Sequence, residues 1–288
     1  MKFVRPASVE EAVQVLASAP GRARVLAGGT DLVTLLADRG ADVVVDVKRI
    51  PGLGDLVADH GGVTIGATVT MRDLEPLAGH RRLAAVVDGA RVVGAPQTRR
   101  RATAVGNVCR ASPAGDTLPA LLTLSATATV VGTGGMRAIG LSEFFRSPGV
   151  TALADSELVT SLNIPAAGGA AAYQRLTYRT SLDLAVVGVA VAVEVADGII
   201  VDARVGLGGV GPTPLLAHQT ADVLVGTDTE DPDALADVLV EAGRVAAHEC
   251  TPRDDVRGTA AYRTRAVSVL VGRVARTALA RTDTHDVA

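Results

Sequence analysis

The chain has 288 residues, a formal net charge of −3, and 48% hydrophobic against 20% charged residues, enough for two buried cores rather than one. Only 2% of residues are aromatic and none is tryptophan, so the stacking platforms of a single-strand nucleic-acid module are missing. The near-balanced charge leaves no footprint for phosphate backbones, and no nucleic-acid partner is expected.

Ser8-Val9-Glu10-Glu11 has the spacing of a helix capping box, and Val9, Ala12, Val13 and Leu16 continue it at helical period. Arg24-Val25-Leu26 predicts a buried strand running into Ala27-Gly28-Gly29-Thr30. A helix is expected from Asp31 through Leu32, Leu35 and Leu36 to a stop at Gly40. Val43 to Val47 predicts a strand, and Thr64-Ile65-Gly66-Ala67 leads to a helix entered through Thr70, with Asp73 at its third position. A glycine- and arginine-rich loop is expected from Gly94 to Ala114. Leu118 to Leu124 reads as helix, and Ala126 to Val131 pairs with Arg137-Ala138-Ile139 across Gly132 to Gly135.

The second half changes rhythm. Glu157 to Ile164, Ala171 to Leu176, Leu184 to Val195 and Ile199 to Leu207 read as strands, the last two joined by the hairpin signal Asp197-Gly198. Helices follow over Asp233 to Ala247 and from Ala260 to about Arg281, the latter with Val267, Leu270, Val271, Val274 and Ala278 on one face. The expectation is an α+β protein with a boundary between Ser147 and Asp155, giving domains 1–150 and 151–288. No apolar leader precedes a small-residue cleavage site, and the most apolar stretch, Leu184 to Val193, is about half a membrane span. A cytoplasmic protein without a transmembrane segment is expected.

Much chemistry is excluded at this level. Of 28 basic residues only Lys2 and Lys48 are lysines, and no Gly-Lys-Ser/Thr triplet exists, so a P-loop is ruled out and Schiff-base chemistry finds no support. His60, His80, His218, His248 and His285 never pair at metal-ligand spacing, so no metal site is expected. Cys109 and Cys250 are too few and too far apart for a disulfide framework. Cys109 beside Arg110 lacks a neighbouring histidine and reads as an ordinary buried cysteine. Ser112 sits in no nucleophile elbow, so no catalytic side chain is assigned. Gly206-Leu207-Gly208-Gly209-Val210-Gly211 fits the dinucleotide fingerprint, yet Pro212 and Pro214 follow where a helix must open, so it reads as a strand entering a tight turn.

Two segments survive. Ala27-Gly28-Gly29-Thr30 joins a strand to a helix, where backbone N–H groups and the helix dipole can face an anion. Thr103-Ala104-Val105-Gly106-Asn107, followed by Ala111-Ser112-Pro113-Ala114-Gly115-Asp116, supplies a hydroxyl, a glycine and an amide for phosphate oxygens and a carboxylate for a ribose hydroxyl. Two backbone clamps in a chain with almost no lysine point to a pyrophosphate held by N–H groups.

These segments, with Pro6, Glu10-Glu11-Ala12, Asp46, Ile65-Gly66-Ala67, Arg175, Arg179, Asp183, Gly208 to Pro214 and Tyr262-Arg263, run in an order that resembles the FAD-binding medium subunits of molybdenum hydroxylases. The resemblance covers nearly the whole chain. It implies a two-part FAD-binding module of the vanillyl-alcohol-oxidase type followed by a smaller C-terminal domain of antiparallel sheet plus helices. It further implies that Val25, Leu26, Ala27, Gly28, Gly29, Thr30, Asp31 and Leu32 wrap the FAD pyrophosphate. Thr103, Gly106 and Asn107 would form a second loop, Asp116 would take the sugar side, Val159 would pack near the flavin, and Arg175 would face the flavin or its phosphates. The implied partners are a small subunit with two-iron two-sulfur clusters and a large subunit with a molybdenum–pterin cofactor, in a hetero-oligomer. The implied role is an oxidoreductase subunit passing electrons through FAD to an external acceptor. One departure stands out: the family's second loop usually reads Thr-Ile-Gly-Gly-Asn, whereas Val105 replaces its first glycine here. A β-branched residue held at positive φ would cost roughly 1–3 kcal/mol. That leaves open a cofactor-free structural or regulatory paralogue, and, with less support, a free-standing flavin oxidoreductase.

Overall fold

A computed structural model describes residues 1–180 and 182–282, with residues 37–39 described by their backbone alone; His285 lies outside the described residues. In chain order the elements are β1 (Lys2–Val4), α1 (Val9–Ser18), β2 (Ala23–Leu26), α2 (Leu32–Arg39), β3 (Val43–Asp46), β4 (Leu56–Asp59) and β5 (Gly62–Gly66). Then come α3 (Ala84–Val92), α4 (Pro96–Arg99), α5 (Ala104–Arg110), α6 (Leu118–Thr123), β6 (Thr127–Gly132), β7 (Gly135–Gly140), α7 (Leu141–Phe144), β8 (Phe145–Ser147) and β9 (Val150–Thr151). The remainder is β10 (Leu158–Pro165), β11 (Ala170–Leu176), β12 (Val187–Ala196), β13 (Ile199–Gly208), β14 (Leu215–Leu216), α8 (His218–Leu224), α9 (Pro232–Glu249) and α10 (Ala260–Thr282). Among the described residues no helix is long and apolar enough to cross a membrane.

The chain divides into two interleaved contact units. The first comprises Met1–Asp73, Pro96–Ala111 and Ser125–Ala166. It holds a parallel sheet in the order β1-β3-β2 and an antiparallel sheet in the order β4-β5-β10-β6-β7. The predicted N-cap forms on α1: Ser8 Oγ accepts from the Glu11 N–H at 3.2 Å, while Glu11 Oε2 reaches one residue past the N-cap to accept from the Ala7 N–H at 2.7 Å. Ala12, Val13 and Leu16 are buried beneath it.

The division differs from the boundary expected at residues 150/151. β10 hydrogen-bonds between β5 and β6, so the strand expected to open the second domain is the central strand of the first sheet. Two further expectations are corrected here. Thr70 and Asp73 exchange the contacts of a cap, Thr70 Oγ1 donating to Asp73 Oδ2 at 2.7 Å, but the chain continues through turns into a 3-10 segment, Glu75–Gly79. Pro76, at its start, has no N–H to give an α-helical bond. The stretch from Gly94 to Ala114, expected as a loop, contains α4 and α5. Thr103 caps α5 by accepting from the Gly106 N–H at 3.0 Å, and Ala104, Val105 and Val108 are buried on one face.

The second unit comprises Leu74–Ala95, Ser112–Leu124 and Ala167–Ala288. Its antiparallel sheet has the order β11-β12-β13-β14. β12 explains why its sequence reads as a continuous apolar run. Val187, Val189, Val191 and Val193 share a core with Leu239 of α9 and Val267, Val271 and Val274 of α10. Gly188, Ala190 and Ala192 alternate with them on the other face. There α6 lies close, and a Cβ on Gly206 would sit 2.4 Å from the Pro119 carbonyl oxygen. Asp197 (φ +50°) and Gly198 (φ +77°) make the tight hairpin turn that positive φ at both positions requires.

Candidate cofactor site

The first unit carries the glycine-rich segment. Val25 and Leu26 end β2, and Ala27 to Thr30 lead into α2, whose N-cap residue Asp31 makes no side-chain capping bond. The five successive N–H groups of Ala27, Gly28, Gly29, Thr30 and Asp31 donate to no acceptor among the described residues. Gly29 takes φ +78°, where a side chain would be strained. Such a run of N–H groups at a helix start, unpartnered among the described residues, could form a nest for an anion. Leu32 begins α2, and Arg110 Nε lies 3.5 Å from Asp31 Oδ1, offsetting the carboxylate beside the nest.

The second segment lies against the first. A Cβ on Gly28 would stand 1.9 Å from the Arg101 carbonyl oxygen and 3.1 Å from Ala102 Cα, so only glycine permits this approach. Two bonds tie the segment down, from the Met71 N–H to Ala102 O at 2.8 Å and from the Ala104 N–H to Val69 O at 3.2 Å. The N–H groups of Thr103 and Val105 have no acceptor among the described residues. Gly106 is needed for the cap itself, since its Cβ would come 2.7 Å from Thr103 Oγ1. Asn107 follows on α5, its N–H donating to Thr103 O at 3.0 Å.

Val105 does not sit at positive φ; it lies in the first turn of α5, and its side chain is buried. The strain considered from the sequence is therefore absent. Val159 is also buried, beside a bulge in β10. The Cys109 thiol is pushed up to about 12 by burial, as an inert cysteine should be. Among the described residues no group of three potential ligands can hold a metal.

The second unit carries Asp116 and Arg175. Asp116 sits just before α6, its backbone approached so closely by α3 that a Cβ on Gly89 would meet the Asp116 carbonyl oxygen at 2.5 Å. Its carboxylate is buried and already engaged: Oδ1 accepts from Tyr173 Oη at 2.8 Å and Oδ2 from Arg175 Nη1 at 2.8 Å. Burial pushes this carboxyl up to about 6, against the Arg175 charge and the two hydrogen bonds. Tyr173 is held well above the usual phenol range by burial and by the Asp116 charge. Tyr173 and Arg175 share a face because they are two residues apart on β11.

Arg175 Nη1 also donates to Asp183 O at 3.0 Å. Asp183 closes the connection to β12, accepting from the N–H groups of Tyr178, Arg179 and Leu184 at 3.0 Å each. The Arg175 side chain is only 6% exposed. Its Nε and Nη2 have no partner among the described residues and are not sealed from solvent. Sequence reasoning missed Tyr173 and Arg110. The i, i+2 spacing of Tyr173 and Arg175 was the available signal for the first, but a lone tyrosine in an apolar strand reads as core.

Residues 1–167 match the family described as the FAD binding domain in molybdopterin dehydrogenase, and residues 171–278 match the CO dehydrogenase flavoprotein C-terminal domain. The chain is 32% identical to the carbon monoxide dehydrogenase medium chain of Afipia carboxidovorans, over 97% of this chain and 96% of that one. It is 35% identical to the nicotinate dehydrogenase FAD-subunit of Eubacterium barkeri, over 78% and 79% of the two chains. Among solved structures it is similar to reconstituted CO dehydrogenase from Oligotropha carboxidovorans, with a TM-score of 0.90, 30% identity and 98% of each chain covered.

Proposed function

Because the chain belongs to the family of FAD-binding medium subunits of molybdenum hydroxylases, we propose that it holds FAD and passes electrons from iron–sulfur clusters of a small subunit to an external acceptor. The electrons originate at a molybdenum–pterin centre in a large subunit. The observation that carries this reading is the run of five N–H groups from Ala27 to Asp31 that have no acceptor among the described residues, with those of Thr103 and Val105 on the adjoining segment. A pyrophosphate needs several donors converging from fixed backbone, and lysine-poor segments supply them without mobile side chains.

When bound, FAD supplies the redox chemistry, and the protein supplies position and electrostatics. Ala27 to Leu32 would bind the phosphates through main-chain donors, with Gly28 and Gly29 keeping the loop low and turned. The Thr103 hydroxyl, Gly106 and Asn107 would fix the second segment through the cap of α5. In the second unit, Arg175 is held in one place by Asp116. No side chain is required as acid, base or nucleophile in this role, in keeping with a protonated Cys109 and a carboxyl at Asp116 already engaged by two donors.

The test is an absorbance spectrum of the purified chain, followed by heat release and identification of the nucleotide. Flavin bands with about one FAD released per chain are expected. A chain that stays colourless alone and alongside its co-expressed partners, and that takes up no added FAD, would overturn the reading.

A further inference from the structure

α10 buries one side, Val267, Val271, Val274 and Ala278, in the core of the second unit. At about 100° per residue, Tyr262, Arg265, Val269, Arg273 and Arg276 fall on the opposite side, in a stripe about 80° wide and about 20 Å long. Tyr262 is 48% and Val269 49% exposed, and the three arginines are exposed with them. None of the three arginines makes an ion pair among the described residues. The 23 residues of α10 include no aspartate or glutamate that could supply one.

The helix alone gains nothing from this arrangement, since Arg273 and Arg276 are like charges at i, i+3 spacing. α9, in the same unit, shows the alternative. Its exposed side mixes Asp233, Asp237, Glu241 and Arg244, and Arg244 pairs with Glu241 at 2.6 Å and 2.8 Å. In a chain of net charge −3 the α10 stripe is a local inversion of sign. Two occupants fail on these observations. A second copy docked through the same face about a two-fold axis would set arginine against arginine. A bilayer would receive only Tyr262 and Val269 from the stripe, too little apolar surface to enter the headgroup boundary.

We propose that this stripe of α10 is a docking surface for an acidic face of a partner subunit in the hetero-oligomer. Tyr262 and Val269 supply its apolar contacts, and Arg265, Arg273 and Arg276 supply its charge. Tyrosine and arginine are favoured at the centres of protein interfaces, and charge complementarity of this kind sets the rate and orientation of encounter. The inference rests on the proposed complex with small and large subunits.

The experiment uses the full chain with its co-expressed subunits and reads co-purification and association rate at about 50 and about 300 mM salt. Wild type is expected to associate about tenfold more slowly at the higher salt. The triple variant Arg265→Glu, Arg273→Glu, Arg276→Glu is expected to associate at least about tenfold more slowly at low salt, and to speed up rather than slow down as salt rises. If circular dichroism shows that it does not fold, the triple change to Gln takes its place, with slow association at both salts expected. A control triple, Arg22→Glu, Arg146→Glu, Arg244→Glu, makes the same change of net charge away from α10 and is expected to stay within about twofold of wild type. An α10 variant that matches wild type in rate and salt dependence overturns the proposal, as does a control that slows equally. Wild-type binding to phosphatidylglycerol vesicles, lost in an α10 variant whose assembly is intact, would overturn it in favour of a lipid surface. A wild-type chain that carries FAD but co-purifies with neither subunit would instead defeat the proposed complex itself.

Discussion

At Val105 the question is what a single methyl-bearing residue does to a cofactor loop. Its backbone is helical, its N–H has no acceptor among the described residues, and its side chain is buried. Val105→Gly is therefore expected to give no gain in FAD content while lowering stability by about 2–3 kcal/mol through lost packing and helix propensity; flavin absorbance and a denaturant titration report the two effects separately. Arg263 poses a different problem, being 2% exposed. It donates to the carbonyls of Val186 and Gly209 through Nη1 and to Asp255 Oδ1 at 2.6 Å through Nη2. Burial raises the Asp255 carboxyl, but bonds from the Arg257 side chain and N–H, with the charges of Arg257 and Arg263, bring it down to about 2. A depressed carboxyl stabilises the fold above its unfolded pKa and loses that contribution as pH falls through about 2. Asp255→Ala should thus cost about 2 kcal/mol near neutral pH, because a buried cation loses its partner, and the gap from wild type should close toward pH 2. Asp116 runs the opposite way. Raised to about 6, it takes up a proton more readily in the native state, so its contribution to stability declines as pH rises from about 4 to about 6. Asp116→Asn should remove that slope from a plot of unfolding free energy against pH.

Among the elements, those whose burial follows one period were readable. The cap and apolar face of α1, the valines of β12, the Asp197-Gly198 turn and the apolar face of α10 all state their geometry in local sequence. The elements that went unread depend on partners distant in the chain. α5 is 7 residues long, and its identity comes from Thr103 capping Gly106 and from apolar residues packed in the first unit. β10 looks like any strand, and nothing within it says that it pairs with β5 and β6 rather than with β11. The candidate site divides in the same way. The glycines of Ala27 to Thr30 are visible in local sequence, whereas the commitment of Asp116 to Tyr173 and Arg175 joins residues 57 and 59 positions apart. Gly28 shows how much one element owes another. Gly28→Ala would set a methyl 1.9 Å from the Arg101 carbonyl oxygen, so the two segments must part. FAD content is expected to fall at least tenfold while the circular dichroism of the whole chain changes little.

Taken whole, the molecule shares its backbone between two units in alternating pieces. Family matches end at residue 167 and resume at 171, which invites cutting the gene there. The second unit, however, also contains Leu74–Ala95 and Ser112–Leu124, and α6 rests against β12 and β13 where Gly206 and Gly208 make room for Pro119. A fragment of residues 168–288 is expected to lack a cooperative thermal transition and to bind hydrophobic dyes, checked by calorimetry and dye fluorescence beside the full chain. A fragment that melted cooperatively on its own would show that α3 and α6 are dispensable.

The interleaving also has a consequence in time. During synthesis, α3 and α6 leave the ribosome early, yet the strands of their own unit begin at Ala170 and its last helix ends at Thr282. At about 5–20 residues per second, Leu118 and Leu121 wait on the order of ten seconds for the surfaces that will cover them. For that interval the nascent chain displays apolar helices that no local partner can hide. The yield of this protein in a cell is accordingly expected to depend on whatever shields those two short segments until the last helix arrives.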